Sequence, residues 1–244
     1  MHLYICEKNI IGFLTAVFYA YYNKERVDKI LSCRESVLLG DTFKTIEANR
    51  LLAERVRDGI KKRIGNGGWE AVRLAYAAEV LDKEDIIFQF LRLVFKHGRA
   101  AQDMHADPAV SRFNEIVQRV AHEAHILRGF LRFQELSNGG FFSSFSSDHN
   151  VLEFLAPHFA DRFNTHKFMI LDMKRNLAMC YDGERYLIIP VSGEVTLELS
   201  AREEAIASLW KQYHKALSIE SRENKKLQKR FVPSRYRWFM NEFR

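Results

Sequence analysis

The stretch Ser221–Arg244 carries eight cations: Arg222, Lys225, Lys226, Lys229, Arg230, Arg235, Arg237 and Arg244. Against them stand only Glu223 and Glu242, an excess equal to the +6 net charge of the whole 244-residue chain. Phe231, Tyr236, Trp238, Phe239 and Phe243 are interleaved with the cations. Clustered cations release counterions from a phosphate backbone, and flat rings stack on unpaired bases. Types and spacing therefore point to nucleic acid, with Lys225, Lys226, Lys229, Arg230, Arg235, Arg237 and Trp238 as contacting residues. The competing reading is a basic, half-buried C-terminal helix whose rings pack on the body of the protein.

Two other places hold residues able to do chemistry. On a predicted long helix, His122 and His125 share a face, and Arg128, Arg132 and Glu135 lie further along roughly the same side. Gly129 sits among them, where glycine costs about 1 kcal/mol relative to alanine unless something approaches closely. This stripe reads as an anion or phosphate pocket with histidine for proton transfer, or as a solvated face. The loop Ser147-Asp148-His149-Asn150 places carboxylate, imidazole and amide side by side, with His158 two helical turns on. Asp148, His149, His158 and His125 are thus the catalytic candidates, although a helix cap alone accounts for one residue of the loop. His97, between Lys96 and Gly98-Arg99, suits a helix C-terminus. No P-loop, dinucleotide fingerprint, zincin helix, serine elbow or deaminase signature is present, so no cofactor and no metal is assigned.

The elements that must position these groups follow from periodicity. A short strand is predicted over His2–Glu7, and a helix over Ile10–Tyr22 capped by Asn9. Another strand is expected at Glu35–Leu39, then a helix over Thr45–Ile64 broken at Gly65-Asn66-Gly67-Gly68, and helices over Trp69–Val80 and Lys83–Lys96 with Asp82 as cap. Pro108 opens the long helix, whose buried stripe is Phe113, Val117, Val120, Ala124, Leu127 and Leu131, and whose end is set by Ser137-Asn138-Gly139-Gly140. Beyond it the pattern gives a strand at Phe141–Phe145 and a helix over Val151–Phe163 interrupted by Pro157. Three strands follow, Lys167–Met173, Leu177–Tyr181 and Arg185–Ile189, the last two joined at Asp182-Gly183. Helices at Ala201–Leu217 and up to about Phe231 end the chain, with Pro233 as a break. The class is α+β: a mainly helical region at 1–137, then 138–244 with a small antiparallel sheet, flanking helices and the basic segment. The long helix is also able to serve both halves.

Bulk properties narrow the classes further. A hydrophobic fraction of 47% supports a core and excludes disorder. No run reaches the ~18 apolar residues of a membrane span. Cys6, Cys33 and Cys180 are scattered, without a C-x-x-C pair. Without signal-peptide features at its start, the chain is expected to be cytoplasmic with reduced thiols.

The run His149-Asn150-Val151-Leu152, Leu155-Ala156-Pro157-His158-Phe159-Ala160 and Arg162-Phe163 is distinctive, as is Tyr181-Asp182-Gly183. Leu209-Trp210, Tyr213-His214-Lys215-Ala216-Leu217, Glu220-Ser221-Arg222 and Lys229-Arg230-Phe231-Val232-Pro233 with Tyr236-Arg237 continue it. Together with Gly12-Phe13-Leu14-Thr15-Ala16-Val17-Phe18 and Phe95-Lys96-His97-Gly98, these resemble the domain of unknown function 4130. That domain is appended to some uracil-DNA glycosylases and forms the bacterial "probable DNA metabolism protein". The resemblance implies a link to DNA modification or repair and a radical SAM partner protein, and it assigns no catalytic residue. The expected function is a DNA-metabolism accessory protein binding nucleic acid through its C-terminal segment. The alternatives are an enzyme acting on DNA or a nucleotide through the His/Asp loop, and an interaction subunit without DNA contact.

Overall fold

Strand β1 (His2–Cys6) buries Leu3, Tyr4, Ile5 and Cys6 in succession. An unbroken buried run is what a central parallel strand covered on both faces requires. In the computed structural model, which describes residues 1–23, 26–32, 40–193 and 196–243, β1 lies between β2 (Lys29–Leu31) and β3 (Thr42–Ile46), parallel to both. The chain divides into two compact units, Met1–Ala121 and His122–Arg244.

In the first unit, α1 (Ile10–Tyr22) is capped as expected: Asn9 Oδ1 accepts from the Gly12 N–H at 2.7 Å. A Cβ on Gly12 would stand 2.9 Å from the Glu7 carbonyl oxygen, so glycine lets the helix start tight against the strand end. The helix expected from Thr45 begins later. Thr42, Phe43, Thr45 and Ile46 are β-formers that pair with β1, and α2 (Arg50–Ala77) opens at Asn49, whose side chain accepts from the Leu52 N–H at 3.2 Å. Gly65, at φ 75° and ψ −178°, breaks the helical path within α2. The strand expected at Glu35–Leu39 lies outside the described residues. Helix α3 (Lys83–His97) buries Ile86, Ile87, Phe90, Leu91 and Val94, and stops at Gly98, whose φ is +63°. Asp82 makes no cap bond; its carboxylate instead accepts from Arg112 at 2.7 Å. Helix α4 (Pro108–Phe130) begins with Pro108 in its first turn, and Phe113 stacks on Phe90 with centroids 3.8 Å apart. The division between units falls inside α4.

In the second unit α4 ends at Phe130, before the glycine turn that was expected to close it. Arg132 Nη1 donates to the Gly129 and Leu131 carbonyls at 2.9 and 3.3 Å, supplying donors at the helix end. Glu135 consequently lies on strand β4 (Gln134–Glu135), not on the polar stripe of the helix. A five-stranded sheet follows in the order β4, β5 (Phe141–Phe145), β6 (Phe168–Asp172), β7 (Leu177–Tyr181), β8 (Tyr186–Pro190). Three of its pairings are antiparallel; β5 and β6 are parallel, linked through α5 (Leu152–Arg162), which continues through Pro157. Asp182 closes the β7–β8 turn by accepting the Glu184 and Arg185 N–H groups, each at 2.9 Å. The core gathers Phe142, Phe145, Leu152, Leu155, Phe159, Phe168 and Met179. Helices α6 (Glu203–Leu217), α7 (Lys225–Phe231) and α8 (Ser234–Arg237) complete an α+β arrangement. Among the described residues no helix is long and apolar enough to cross a membrane.

Candidate nucleic-acid interface

Only part of the basic segment is available to a ligand. Asn224 caps α7 by accepting the Leu227 N–H at 2.9 Å, and the following turns project Lys225, Lys226, Lys229 and Arg230 as exposed neighbours at i, i+1, i+4 and i+5. Among the described residues their one carboxylate contact is Lys225 to Glu223 at 3.9 Å, between side chains 81% and 62% exposed, and such pairs bind weakly. Phe231 ends the helix 67% exposed, and Trp238 further on is 76% exposed. Between α6 and α7 lies an open cleft of about 820 Å³ whose lining includes His214, Lys215, Arg222, Asn224 and Phe231.

The rest of the segment is anchored. Tyr236 and Met240 are 2% and 3% exposed. The Tyr236 hydroxyl donates to Glu123 Oε1 at 2.9 Å, and burial together with the Glu123 charge raises its pKa well above the usual phenol value. Arg235 pairs with the Asp148 carboxylate, and its guanidinium lies 3.9 Å from Glu123. Arg237 donates to the Val232 carbonyl at 2.8 Å and lies over the Phe243 ring. Glu242 receives Arg132 at 2.6 Å and the Trp210 indole N–H at 3.2 Å. Burial pushes the Glu242 pKa up, but the Arg132 hydrogen bond, a backbone N–H and the Arg132 charge outweigh it and hold it below the usual range.

Glu123 ties the histidine-bearing loop to this anchor. It is 5% exposed and accepts the backbone N–H groups of Asp148 at 2.8 Å and His149 at 2.9 Å. From the other side Arg175, paired with the fully buried Asp172 at 2.8 Å, donates to the Asp148 carbonyl at 2.8 Å. The loop is a junction of three segments, and Asp148 serves there as the counter-ion of Arg235. Nothing in the residue spacing singles out Glu123, because its partners Asp148, His149 and Tyr236 lie 25, 26 and 113 positions away. The i, i+3 pair Asp172/Arg175 was a signal that went unused.

Arg128 and Arg132 do come to one place. With Arg162, Gly129, Phe133, Phe163 and Trp210 they line a cleft of about 480 Å³. A Cβ on Gly129 would meet nothing within 4 Å, so this glycine opens the wall of the cleft and is not there for close helix packing. Arg128 donates to the Phe154 carbonyl at 3.1 Å, while Arg132 is engaged by Glu242. His158, half-buried on α5, has its pKa lowered by burial and then by the charges of Arg128 and Arg162, two of the residues that line the cleft. His122 and His125 are exposed on α4. Among the described residues no three His, Cys, Asp or Glu side chains gather in a metal-holding group.

An α+β unit with a wired loop, an arginine cleft and a projecting cationic helix is the class these features define. A family model described as domain of unknown function DUF4130 matches residues 81–242, well over half of the chain, and the protein belongs to that family. A search of curated proteins finds no match.

Proposed function

We propose that this protein is a DNA-metabolism accessory factor that holds nucleic acid on α7 and works beside a radical SAM modification or repair enzyme, as the sequence resemblance implies. The observation that carries the reading is the exposed, almost unpaired set Lys225, Lys226, Lys229 and Arg230 with Phe231 at its end. Elsewhere in the tail the cations Arg235 and Arg237 already have protein partners. Four exposed cations beside a ring, with Lys225–Glu223 as their one weak carboxylate contact among the described residues, are what a polyanion with stackable bases needs. Arg128 and Arg162 in the 480 Å³ cleft are the next nearest candidates for phosphate. The partner half of the reading is supported by α6, which exposes Leu209, Tyr213 and Leu217 on one apolar stripe. Acid–base chemistry at the loop is less well supported, because Asp148 is spent on Arg235.

Deleting the chain after Glu220 would remove buried Tyr236 and Met240 and confound the result. The test is therefore a full-length Lys225→Gln/Lys226→Gln/Lys229→Gln/Arg230→Gln variant. Fluorescence anisotropy with single-stranded and duplex DNA should show weaker binding to every sequence tried. Unchanged affinity for both forms excludes α7 as the binding element.

A further inference from the structure

The first unit holds a second cation-and-ring cleft, built by α1, α2 and α3. Helix α2 sends Arg55, Gly59 and Arg63 to it at i, i+4 and i+8, so all three stand on one face. Helix α1 contributes Phe18, Tyr21 and Tyr22, and α3 contributes Arg92, Phe95 and Lys96. The space is about 530 Å³, and among the described residues no acidic one lines it.

The charges are what set this cleft apart. On the same helices Arg50, Arg57 and Arg73 each pair with a carboxylate. Among the described residues Arg55, Arg63, Arg92 and Lys96 have no such partner; Arg92 bonds only the neutral Gln89 amide at 3.2 Å. Instead the guanidiniums lie over rings, Arg55 at 5.1 Å from the Phe18 centroid and Arg63 at 5.4 Å from that of Phe95. Phe18 stacks on Tyr22 at 5.4 Å and 17°, and Tyr21 meets Phe95 edge-on at 4.9 Å. Four cations gathered without a carboxylate partner among the described residues repel one another, a cost that an anionic ligand relieves. A planar guanidinium grips phosphate through paired N–H donors, and the rings offer π faces to a flat group. Burial raises the Tyr21 pKa to about 12, so its phenol stays a proton donor at neutral pH.

We propose that this cleft binds a nucleotide, phosphate on Arg55 and Arg63 and base against the rings of α1. The site is built from residues other than those of α7 and goes beyond the proposed function. The shared chemistry comes from two sources, a free nucleotide or an unpaired nucleotide of a strand, and the test separates them.

Full-length wild type, Arg55→Ala/Arg63→Ala, Gly59→Leu and the quadruple α7 variant are titrated calorimetrically with adenosine triphosphate, a short single-stranded oligonucleotide and inorganic phosphate. Circular dichroism first verifies folding; Gly59→Leu fills the cleft without removing a charge, should the double variant not fold. The expected result is nucleotide binding weakened at least about tenfold by Arg55→Ala/Arg63→Ala and by Gly59→Leu, and kept in the α7 variant. Phosphate should bind about tenfold or more weakly than the nucleotide, because it leaves the rings unused. Triphosphate binding marks a free-nucleotide site; oligonucleotide binding alone, lost in the cleft variants, marks a strand site. Phosphate binding as well as the nucleotide, cleft variants that change nothing, or no binding by wild type overturns the proposal. Loss confined to the α7 variant also removes this site, while leaving the C-terminal reading intact.

Discussion

Replacing Glu123 by alanine should release the junction that anchors the C-terminal segment. The side chain is 5% exposed and accepts three hydrogen bonds: two backbone N–H groups at 2.8 and 2.9 Å and the Tyr236 hydroxyl at 2.9 Å. Removal leaves those donors buried without an acceptor and takes a counter-charge from Arg235. An unsatisfied buried donor costs about 1–3 kcal/mol, and losing one partner of a buried charged set costs about 3–5 kcal/mol. The donors can partly relax toward solvent around exposed Asp148, so a net loss of about 3–4 kcal/mol is expected from the lower part of these ranges. That is a large share of a typical stability of about 5–15 kcal/mol. Tyr236→Phe removes one bond to the same carboxylate and should cost about 1–2 kcal/mol. Because both act through Glu123, the double variant should fall short of additivity by about 1 kcal/mol. Urea unfolding by circular dichroism gives the energies, and limited proteolysis near Pro233 reports detachment of the tail. A loss under about 1 kcal/mol for Glu123→Ala, or strict additivity with Tyr236→Phe, would refute the junction argument.

Two further outcomes follow from the second unit. His158 should titrate below the usual histidine value of about 6.5, and Arg128→Gln should move the midpoint up, as read by NMR of the imidazole C–H groups. Since its folded pKa is depressed, the unfolded chain binds the proton first, and stability is lost as pH falls from about 6.5 toward the folded value; a midpoint unmoved by Arg128→Gln contradicts this. Glu242 is also depressed, but as a carboxylate: its contribution is present above the ordinary Glu pKa and disappears as pH falls through the lower folded one. Trp210 fluorescence in a Trp69→Phe/Trp238→Phe background should report that release, and Arg132→Ala should cost about 3 kcal/mol and shift the transition to higher pH.

Local signals in the chain were legible where one segment decides its own structure. Asn9 and Pro108 opened their helices, Gly98 ended α3, and Asp182-Gly183 turned the β7–β8 hairpin, because caps and turns depend on the backbone of a few neighbouring residues. Thr42–Ile46 misled the periodicity, since its pairing partner β1 is about forty residues away and a strand's fate rests on that partner. The parallel β5–β6 pairing was hidden for the same reason. At the candidate site, charge density located α7 but did not separate free cations from bound ones. Arg132 and Arg235 look like Lys226 in composition, yet their carboxylates, Glu242 and Asp148, come from 110 and 87 positions away. The ring-and-arginine cleft of α1, α2 and α3 was invisible because its rings and cations are spread over three separate helices, and no spacing along one helix shows that they meet.

The measurement closest to the central claim is the salt dependence of single-stranded DNA binding by wild type and the quadruple α7 variant. Each phosphate neutralised contributes about 0.7 to the slope of log K against log salt, so losing four cations should reduce it by about 3. A slope reduced by that amount, with the fold intact by circular dichroism, places the polyanion on α7. An unchanged slope contradicts the claim, because the cations of α7 would then not be where the phosphates lie.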